Sequence, residues 1–419
     1  EKDDHMMENQ LTVFAGADNV ESRSKDGDRL SASFNAPFGL AISPDGQSIF
    51  VADDKNHRIR EISLANGVVS TAFGKMDEKE QQRKSYGPPP PSKLCRPHGV
   101  SIDPSTGDIL IPDTDNHRLI RAKKVSEGAS YEAEILAGSE EGCANGKRGV
   151  DAQFRYPYCI VTCKKKDSSG ATIYYATDTD NHRIVKIVGS KVSTIAGSSK
   201  SYQGDCGHKD GKASEALFQR PTHILLSADE DSLIVTDHGN QCIRRIHDLG
   251  REQKTWVETL AGVPQKSGFK DGAGSKALFN NPYSTQWLDE DANELLVADL
   301  ANHRVRQIDL KTSTVSTLLG SGNQKELNCP VSILLLPCTS SSSPSTTRDI
   351  YIIARGDDTI LTARYDLEKR KFLTAGGAGA SGDSGKAGSM RYSNNYDNGG
   401  FMGAMGSNRD KDEKKSSRS

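Results

Sequence analysis

The sequence has no apolar run near the roughly 20 residues a helix needs to cross a bilayer. It has no Asn-x-Ser/Thr acceptor, which leans toward an intracellular setting without fixing the compartment. No Gly-rich loop ends in Lys-Ser/Thr behind a strand, and no Gly-x-Ser-x-Gly turn is present. A phosphate cradle and a nucleophile elbow are therefore both excluded. Hydrophobic residues make up only 34 % and aromatics 6 %. Many short, half-exposed strands with polar loops would give that balance. Charge of one sign is also lacking: 54 Lys and Arg stand against 56 Asp and Glu, net −2. Such a surface has no overall pull toward RNA or an anionic membrane. Eight cysteines in 419 residues are too sparse for a disulfide scaffold. Cys159 and Cys163 fall on one expected strand, roughly 13 Å apart at about 3.3 Å per residue, too far to bridge. Free, inert cysteines are expected, with Cys143 and Cys206, in equivalent loops, as the pair to watch. A chain that starts at Glu1 reads as mature or trimmed, so an upstream segment stays open.

What the sequence does contain is a phrase that returns. VADDKNHRIREI begins at Val51, IPDTDNHRLIRA at Ile111, ATDTDNHRIVKI at Ala176, VTDHGNQCIRRI at Val235 and VADLANHRVRQI at Val297. A degraded sixth copy, IARGDDTILTAR, begins at Ile353. With Asp53, Asp113, Asp178, Asp237, Asp299 and Arg355 as markers, the steps are 60, 65, 59, 62 and 56 residues. Each unit divides into four short strands. In the first, a proline opens the inner strand at Pro37, where its missing N–H costs least. Pro44-Asp45-Gly46 turns the chain, and a second strand runs to Ala52. The step Asp53–Asn56 leads into Arg58–Ile62, which alternates polar and apolar. Asn66-Gly67 then turns into an outer strand. A longer loop follows, with an Asp-Gly or Asn-Gly step, then a Phe (Phe34, Phe154, Phe218, Phe279) expected to fill the gap between blades.

Six units of four antiparallel strands predict an all-β chain folded as a six-bladed β-propeller. The Asp-x-x-Asn-His-Arg phrase, with a Pro-x-Gly strand before it and a Val-Ser-Thr strand after it, resembles the NHL repeat. The resemblance covers residues 11–376, with 1–10 as an N-terminal extension and 377–419 as a Gly/Ser/charge-rich tail expected to be disordered. Its departures are Gly87–Pro91 in the second unit, Gln241-Cys242 in the fourth, the lost motif in the sixth, and a Ser-rich insertion at 340–347. Two segments compete for the last outer strand, Leu11–Gly16 and Phe372–Gly376. Only one is expected to pair, and the first is favoured because joining the chain ends removes an open edge.

Function divides by residue. The resemblance implies protein- or RNA-binding scaffolds, sensor domains or a metal-dependent lyase. His57, His117, His182 and His303 would be the zinc set of the lyase reading, or of a hydrolase-like one, with Zn or Ca as the metal. Gln241 and Thr359 stand at the other two places of that ring, and a feature repeated in every blade is usually architectural. Asp53 with Arg58, Asp113 with Arg118, Asp178 with Arg183, and Asp299 with Arg304 are expected to tie turns together, Asp237 standing alone in its unit. Residues following the inner-strand prolines vary from unit to unit: Phe38, His98, Tyr158, His223 and Tyr283 are the candidates for contact with a partner. The reading reached is a monomeric, non-enzymatic module without a cofactor, which recognises a protein or peptide on the loop-rich rim. The RNA-binding and metal-enzyme readings are the alternatives.

Overall fold

The structure is a computed structural model, describing residues 11–17, 24–74, 89–125, 131–197, 205–251, 253–289, 291–336 and 347–373. All of these fall within one compact unit, Glu1–Ala375. The expected N-terminal extension, the Ser-rich insertion apart from Thr347, and the tail at 377–419 lie outside the described residues.

Six antiparallel sheets stand in a ring. The first blade runs outward through Pro37–Ile42, Ser48–Asp53, Arg58–Ser63 and Val68–Phe73. The others repeat it, with inner strands at Ser101–Ile102, Pro157–Lys166, Pro221–Leu226, Pro282–Trp287 and Pro330–Leu335. Each inner strand touches the next, and the sixth meets the first. In blades one, four and five the Asp-Gly step adds a two-residue fifth strand outside the fourth, as in Gly27–Asp28 against Val68 and Val69. Near the axis, space is short. A Cβ on Gly99 would come within 2.3 Å of the Tyr158 carbonyl oxygen, so only glycine fits there.

The core lies between blades. Phe34 packs with Ile353 and Ile360 of the sixth blade as well as Val51 of the first. Phe154, Phe218 and Phe279 fill the three equivalent gaps among blades two to five. Leu94 and Leu327 fill the remaining two, where the phenylalanine is missing. A fully buried side chain of this size is worth about 1.5–3 kcal/mol. Six of them in series make each blade depend on both neighbours.

Ring closure departs from the expected choice between two strands. The N-terminal strand Thr12–Ala15 pairs with Thr359–Asp366, Thr12 opposite Thr362 and Ala15 opposite Ile360. Lys371–Leu373 pairs with the same strand, Leu373 opposite Arg364. The last outer strand is thus shared, each chain end covering part of one edge. Gly16 shows that the N-terminal piece holds the regular position. In blades one to five the glycine after the outer strand, as at Gly74 and Gly320, leaves a Cβ position 2.5–2.8 Å from the carbonyl oxygen of the residue at the histidine place. Gly16 stands in the same relation to Asp358, at 3.0 Å.

The sixth repeat also needs realignment. In every blade a three-residue 3-10 turn follows the second strand, then one left-handed residue. In blade six that turn is Arg355–Asp357. Ala354 therefore holds the place of Asp53, and Asp358, not Thr359, holds the histidine place. One residue of offset was invisible because the motif that would have marked it is lost.

Candidate functional site

The left-handed residue after each turn does one job. His57, His117, His182, Gln241, His303 and Asp358 all have φ between +53° and +59°. Each reaches across to the next blade and accepts the N–H of the residue just before its inner-strand proline. The His57 Nδ1 accepts from Arg96 at 3.0 Å, His117 from Tyr156 at 3.4 Å, His182 from Arg220 at 3.0 Å and His303 from Cys329 at 3.1 Å. The Gln241 Oε1 accepts from Asn281 at 2.7 Å, and the Asp358 Oδ1 from Ala36 at 2.7 Å, which closes the ring. Loss of solvent holds all four imidazoles below the ordinary histidine value. A neutral ring with its lone pair on Nδ1 is what the latch requires. The four histidines considered as metal ligands are therefore spread over four blades, each committed to a backbone N–H. Among the described residues no group of three or more His, Cys, Asp or Glu is placed to hold a metal ion.

The motif aspartates are buried at the root of the same turns. Asp53 accepts the Asn35 N–H at 2.8 Å and the Asn56 amide at 2.9 Å. Asp113, Asp178, Asp237 and Asp299 repeat this. The arginine partner differs from blade to blade. Arg118 and Arg183 meet Asp113 and Asp178 as expected, at 2.8 and 2.7 Å. In blade one, however, Asp53 pairs with Arg60 at 2.9 Å, and in blade five Asp299 pairs with Arg306 at 2.8 Å. Asp237 finds Arg244 in the same way at 2.7 Å. Arg58 instead bonds the Asn56 carbonyl and Thr71, and Arg304 the Asn302 carbonyl. The reason lies in the Asp-Gly loop. Asp26, Asp210 and Asp271 approach from outside and bind Arg60, Arg244 and Arg306, two residues further along the strand. Blade three has Asn145 in that loop and blade two has prolines, and there the nearer arginine turns inward. The sequence signal for this pairing is the co-occurrence of Asp-Gly with the second arginine.

These rigid turns surround one mouth of the central channel. The structure gathers four of the five partner-contact candidates there. Phe38 stacks on His98 at 4.4 Å, His98 on Tyr158 at 4.2 Å, and Tyr283 tilts against Phe38 at 5.3 Å. Each is at most 9 % exposed. They form an aromatic floor closing the mouth, and Arg355 lies over Phe38 at 4.5 Å. The His98 Nδ1 stands 3.0 Å from the Asp54 carboxylate. Burial works to raise Asp54, but His98 and Arg96 beside it outweigh burial and hold it low. His223, the fifth candidate, lies one residue deeper, where loss of solvent pushes it down to about 4.

Around the floor, the pre-proline residues face the rim. All six are left-handed, with φ of +49° to +56°, a conformation that residues before proline ordinarily avoid. Their side chains vary around the ring: Ala36, Arg96, Tyr156, Arg220, Asn281 and Cys329. Arg96, Tyr156 and Arg220 form an arc on blades two to four. Arg96 sits 3.1 Å from Asp54 and 3.9 Å from Asp115. Arg220 is 2.9 Å from Asp180. Both side chains stay about a third exposed, at 38 % and 31 %. This ring escaped sequence reading because it precedes the proline that marks the strand.

All seven cysteines among the described residues are free, Cys143 and Cys206 included. His238 offers a pH test. Thr114 and Thr179 each donate a hydroxyl to the next blade's proline carbonyl at 2.8 Å, and His238 Nδ1–H does the same to Pro282 at 3.1 Å. Burial pushes His238 from 6.5 down to about 4. Below the ordinary value the unfolded chain takes up a proton that the folded chain refuses. Stability is therefore full above 6.5 and is lost as pH falls toward 4, by about 3 kcal/mol at roughly 1.4 kcal/mol per pH unit. His238→Thr keeps the contact and removes the titration. Urea unfolding should show wild type losing about 3 kcal/mol more than H238T between these limits. Parallel pH profiles would refute the assignment.

The comparisons with known proteins agree with this architecture. The family model for the NHL repeat matches residues 94–121, in the second unit. The chain is 27 % identical over 315 residues to the Protein SUPPRESSOR OF QUENCHING 1, chloroplastic, of Arabidopsis thaliana, covering 71 % of this chain and 27 % of that one. It is 25 % identical over 370 residues to the NHL repeat-containing protein 2 of Homo sapiens, covering 84 % and 50 %. The chain thus spans about a quarter to a half of the length of these curated relatives. Among solved structures, auxiliary nutrient binding proteins of Bacteroides thetaiotaomicron and Bacteroides ovatus share the fold. Their TM-scores are 0.58 and 0.57, at 13 % and 16 % identity. The first alignment covers 84 % of this chain and 75 % of that one, the second 85 % and 76 %. Six blades, the Asp-x-x-Asn-His-Arg turns and the matched repeat make one statement: this chain is an NHL-repeat six-bladed β-propeller.

Proposed function

We propose that the chain is a non-enzymatic recognition module that binds a protein or peptide segment along the rim bearing the Asp-x-x-Asn turns. An NHL propeller fits a binding or scaffold role, and a rigid scaffold carrying variable residues is the usual setting for recognition. One observation carries the choice of face. The pre-proline positions share one backbone conformation and one latch, yet present Arg96, Tyr156 and Arg220 in a row. Arginine and tyrosine are the types that most often anchor interfaces. Carboxylates hold Arg96 and Arg220, and the His117 ring holds Tyr156 edge-on, before a ligand arrives, which lowers the ordering cost of binding. Phe38, His98, Tyr158 and Tyr283 are the floor beneath this arc.

The test is quantitative capture and cross-linking with wild type and an Arg96→Ala/Tyr156→Ala/Arg220→Ala variant. Each side chain is partly exposed, so the variant should fold, as its melting curve would show. Captured protein is expected to fall by at least about tenfold, since each lost anchor is worth about 1 kcal/mol or more. Cross-links should map to blades two to four. Undiminished capture by a folded variant would exclude this face, and RNA in place of protein would favour the RNA-binding reading.

A further inference from the structure

We propose that the central channel is itself a binding site for a small, uncharged, hydroxyl-bearing molecule of about the size of a monosaccharide. The channel encloses a cavity of about 260 Å³, lined by the inner strands of all six blades. Among the described residues no Asp, Glu, Lys or Arg lines it, so no permanently charged side chain there would neutralise a charged ligand. Its two sides differ in chemistry. Leu40, Ile42, Val100, Ile160 and Val161 make the wall on blades one to three largely apolar, with Ser101 the exception, its hydroxyl also without a partner among the described residues. Thr222, His223, Ser284, Thr285, Gln286 and Ser332 concentrate polar groups on blades four to six, among apolar neighbours such as Ile224 and Ile333.

The polar wall is unfinished. The hydroxyls of Tyr283, Ser284 and Thr285 have no hydrogen-bond partner among the described residues. These three consecutive residues are only 7 %, 4 % and 2 % exposed. Buried polar groups are nearly always satisfied, so three orphans in succession beside one cavity point to an occupant that satisfies them. His223 supports the same wall, its Nδ1 facing the Thr285 N–H at 3.4 Å and its ring neutral. At the floor, Phe38, His98 and Tyr158 stack on one another and line the cavity with ring carbons. A molecule with hydroxyls on one edge and C–H groups on the other matches this combination. The volume lies below the roughly 300–1,000 Å³ usual for drug-sized ligands, which limits the occupant to a small one. The aromatic floor closes the rim side. Entry is from the other end, where Ile42, Ile102, Val161 and Leu225 are only half-buried. The site is thus separate from the rim arc, and neither proposal depends on the other.

D-glucose serves as the uncharged probe, with D-gluconate and protonated glucosamine as charged counterparts of similar size. Thermal melts and calorimetric titrations of the full chain read the result. D-glucose is expected to raise the melting temperature saturably, and the two charged probes to leave it unchanged. The variant Tyr283→Phe/Ser284→Ala/Thr285→Val removes only the three orphan hydroxyls. Without sugar it should melt at or above wild type, and its affinity for glucose should fall at least about tenfold. The proposal fails if glucose gives no response, if a charged probe works equally well, or if the variant retains the affinity. It also fails if the variant is destabilised without sugar, because the hydroxyls would then serve the fold alone.

Discussion

Replacing Arg306 by alanine is expected to destabilise the protein by about 3–5 kcal/mol, the range for breaking a buried ion pair from one side. Replacing Arg304, two residues earlier on the same strand, should cost less than about 1 kcal/mol, as for an exposed or half-exposed charge. Local sequence would suggest the reverse, since Arg304 belongs to the repeated phrase. The structure explains the difference. Arg306 is fully buried and binds Asp299, Asp271 and the carbonyls of Leu278 and Lys270. Its guanidinium also lies 5.2 Å from the ring centre of Phe279. It joins a turn, a loop and the inter-blade core. Burial already pushes the Asp299 carboxyl up against the opposing pull of Asn302, Asn280 and Arg306. Without Arg306 that carboxylate would be stranded, and it would either take a proton or open the turn. Arg304 stands half-buried over Phe269 and bonds the Asn302 carbonyl. Urea unfolding of the two single variants decides the matter. Equal costs would show that the phrase, and not the second arginine, holds the blade.

A chain shortened to begin at Ala17 should lose on the order of 4–6 kcal/mol, from ladder hydrogen bonds near 1 kcal/mol each and about 2 kcal/mol of apolar burial. Ala15 is fully buried in the core between the sixth and first blades. Phe14 meets Tyr351 edge-on at 4.7 Å, and its carbonyl accepts from Arg29 at 2.7 Å. Gly16 supplies the close approach to Asp358. Among the described residues, ending the chain at Arg370 removes three paired residues and the Tyr365–Phe372 contact. That truncation should cost about 1–2 kcal/mol. Thermal melts and limited proteolysis compare the two. A larger loss from the C-terminal cut would make Lys371–Leu373 the true closing strand.

Blade number and strand order were legible because hydrophobic alternation and turn chemistry repeat at a fixed period, and the phrase around Asp53 is long enough to align by eye. The inter-blade role of Phe34, Phe154, Phe218 and Phe279 was legible for the same reason. Leu94 and Leu327 were not, since a leucine carries no mark of its position. The pairing of Asp53 with Arg60 depended on a carboxylate, Asp26, brought in from 34 residues away. No local pattern encodes that meeting. The rim candidates were chosen for variability after each proline. Packing turned Phe38, His98, Tyr158 and Tyr283 inward, because four large rings at a narrow axis lose less by stacking on one another than by facing water. The residue before the proline, with its left-handed backbone, was left to face the rim.

The latches all point one way, each blade accepting from the next and the last accepting from the first. The chain thus reproduces internally a head-to-tail cyclic assembly, with every contact made between unlike faces. In such a ring an interior blade can leave only by breaking two interfaces, while parting the ring anywhere breaks one. Five of the six interfaces are also crossed by continuous chain. The sixth is crossed by the short N-terminal strand, beside the Asp358 latch to Ala36. Opening should therefore start at that seam and proceed as an uncoiling of the ring, blade after blade, rather than as the loss of a blade from its middle. Amide exchange would register it as protection that is lowest at Thr12–Ala15 and Thr359–Asp366 and rises toward the blades on the far side.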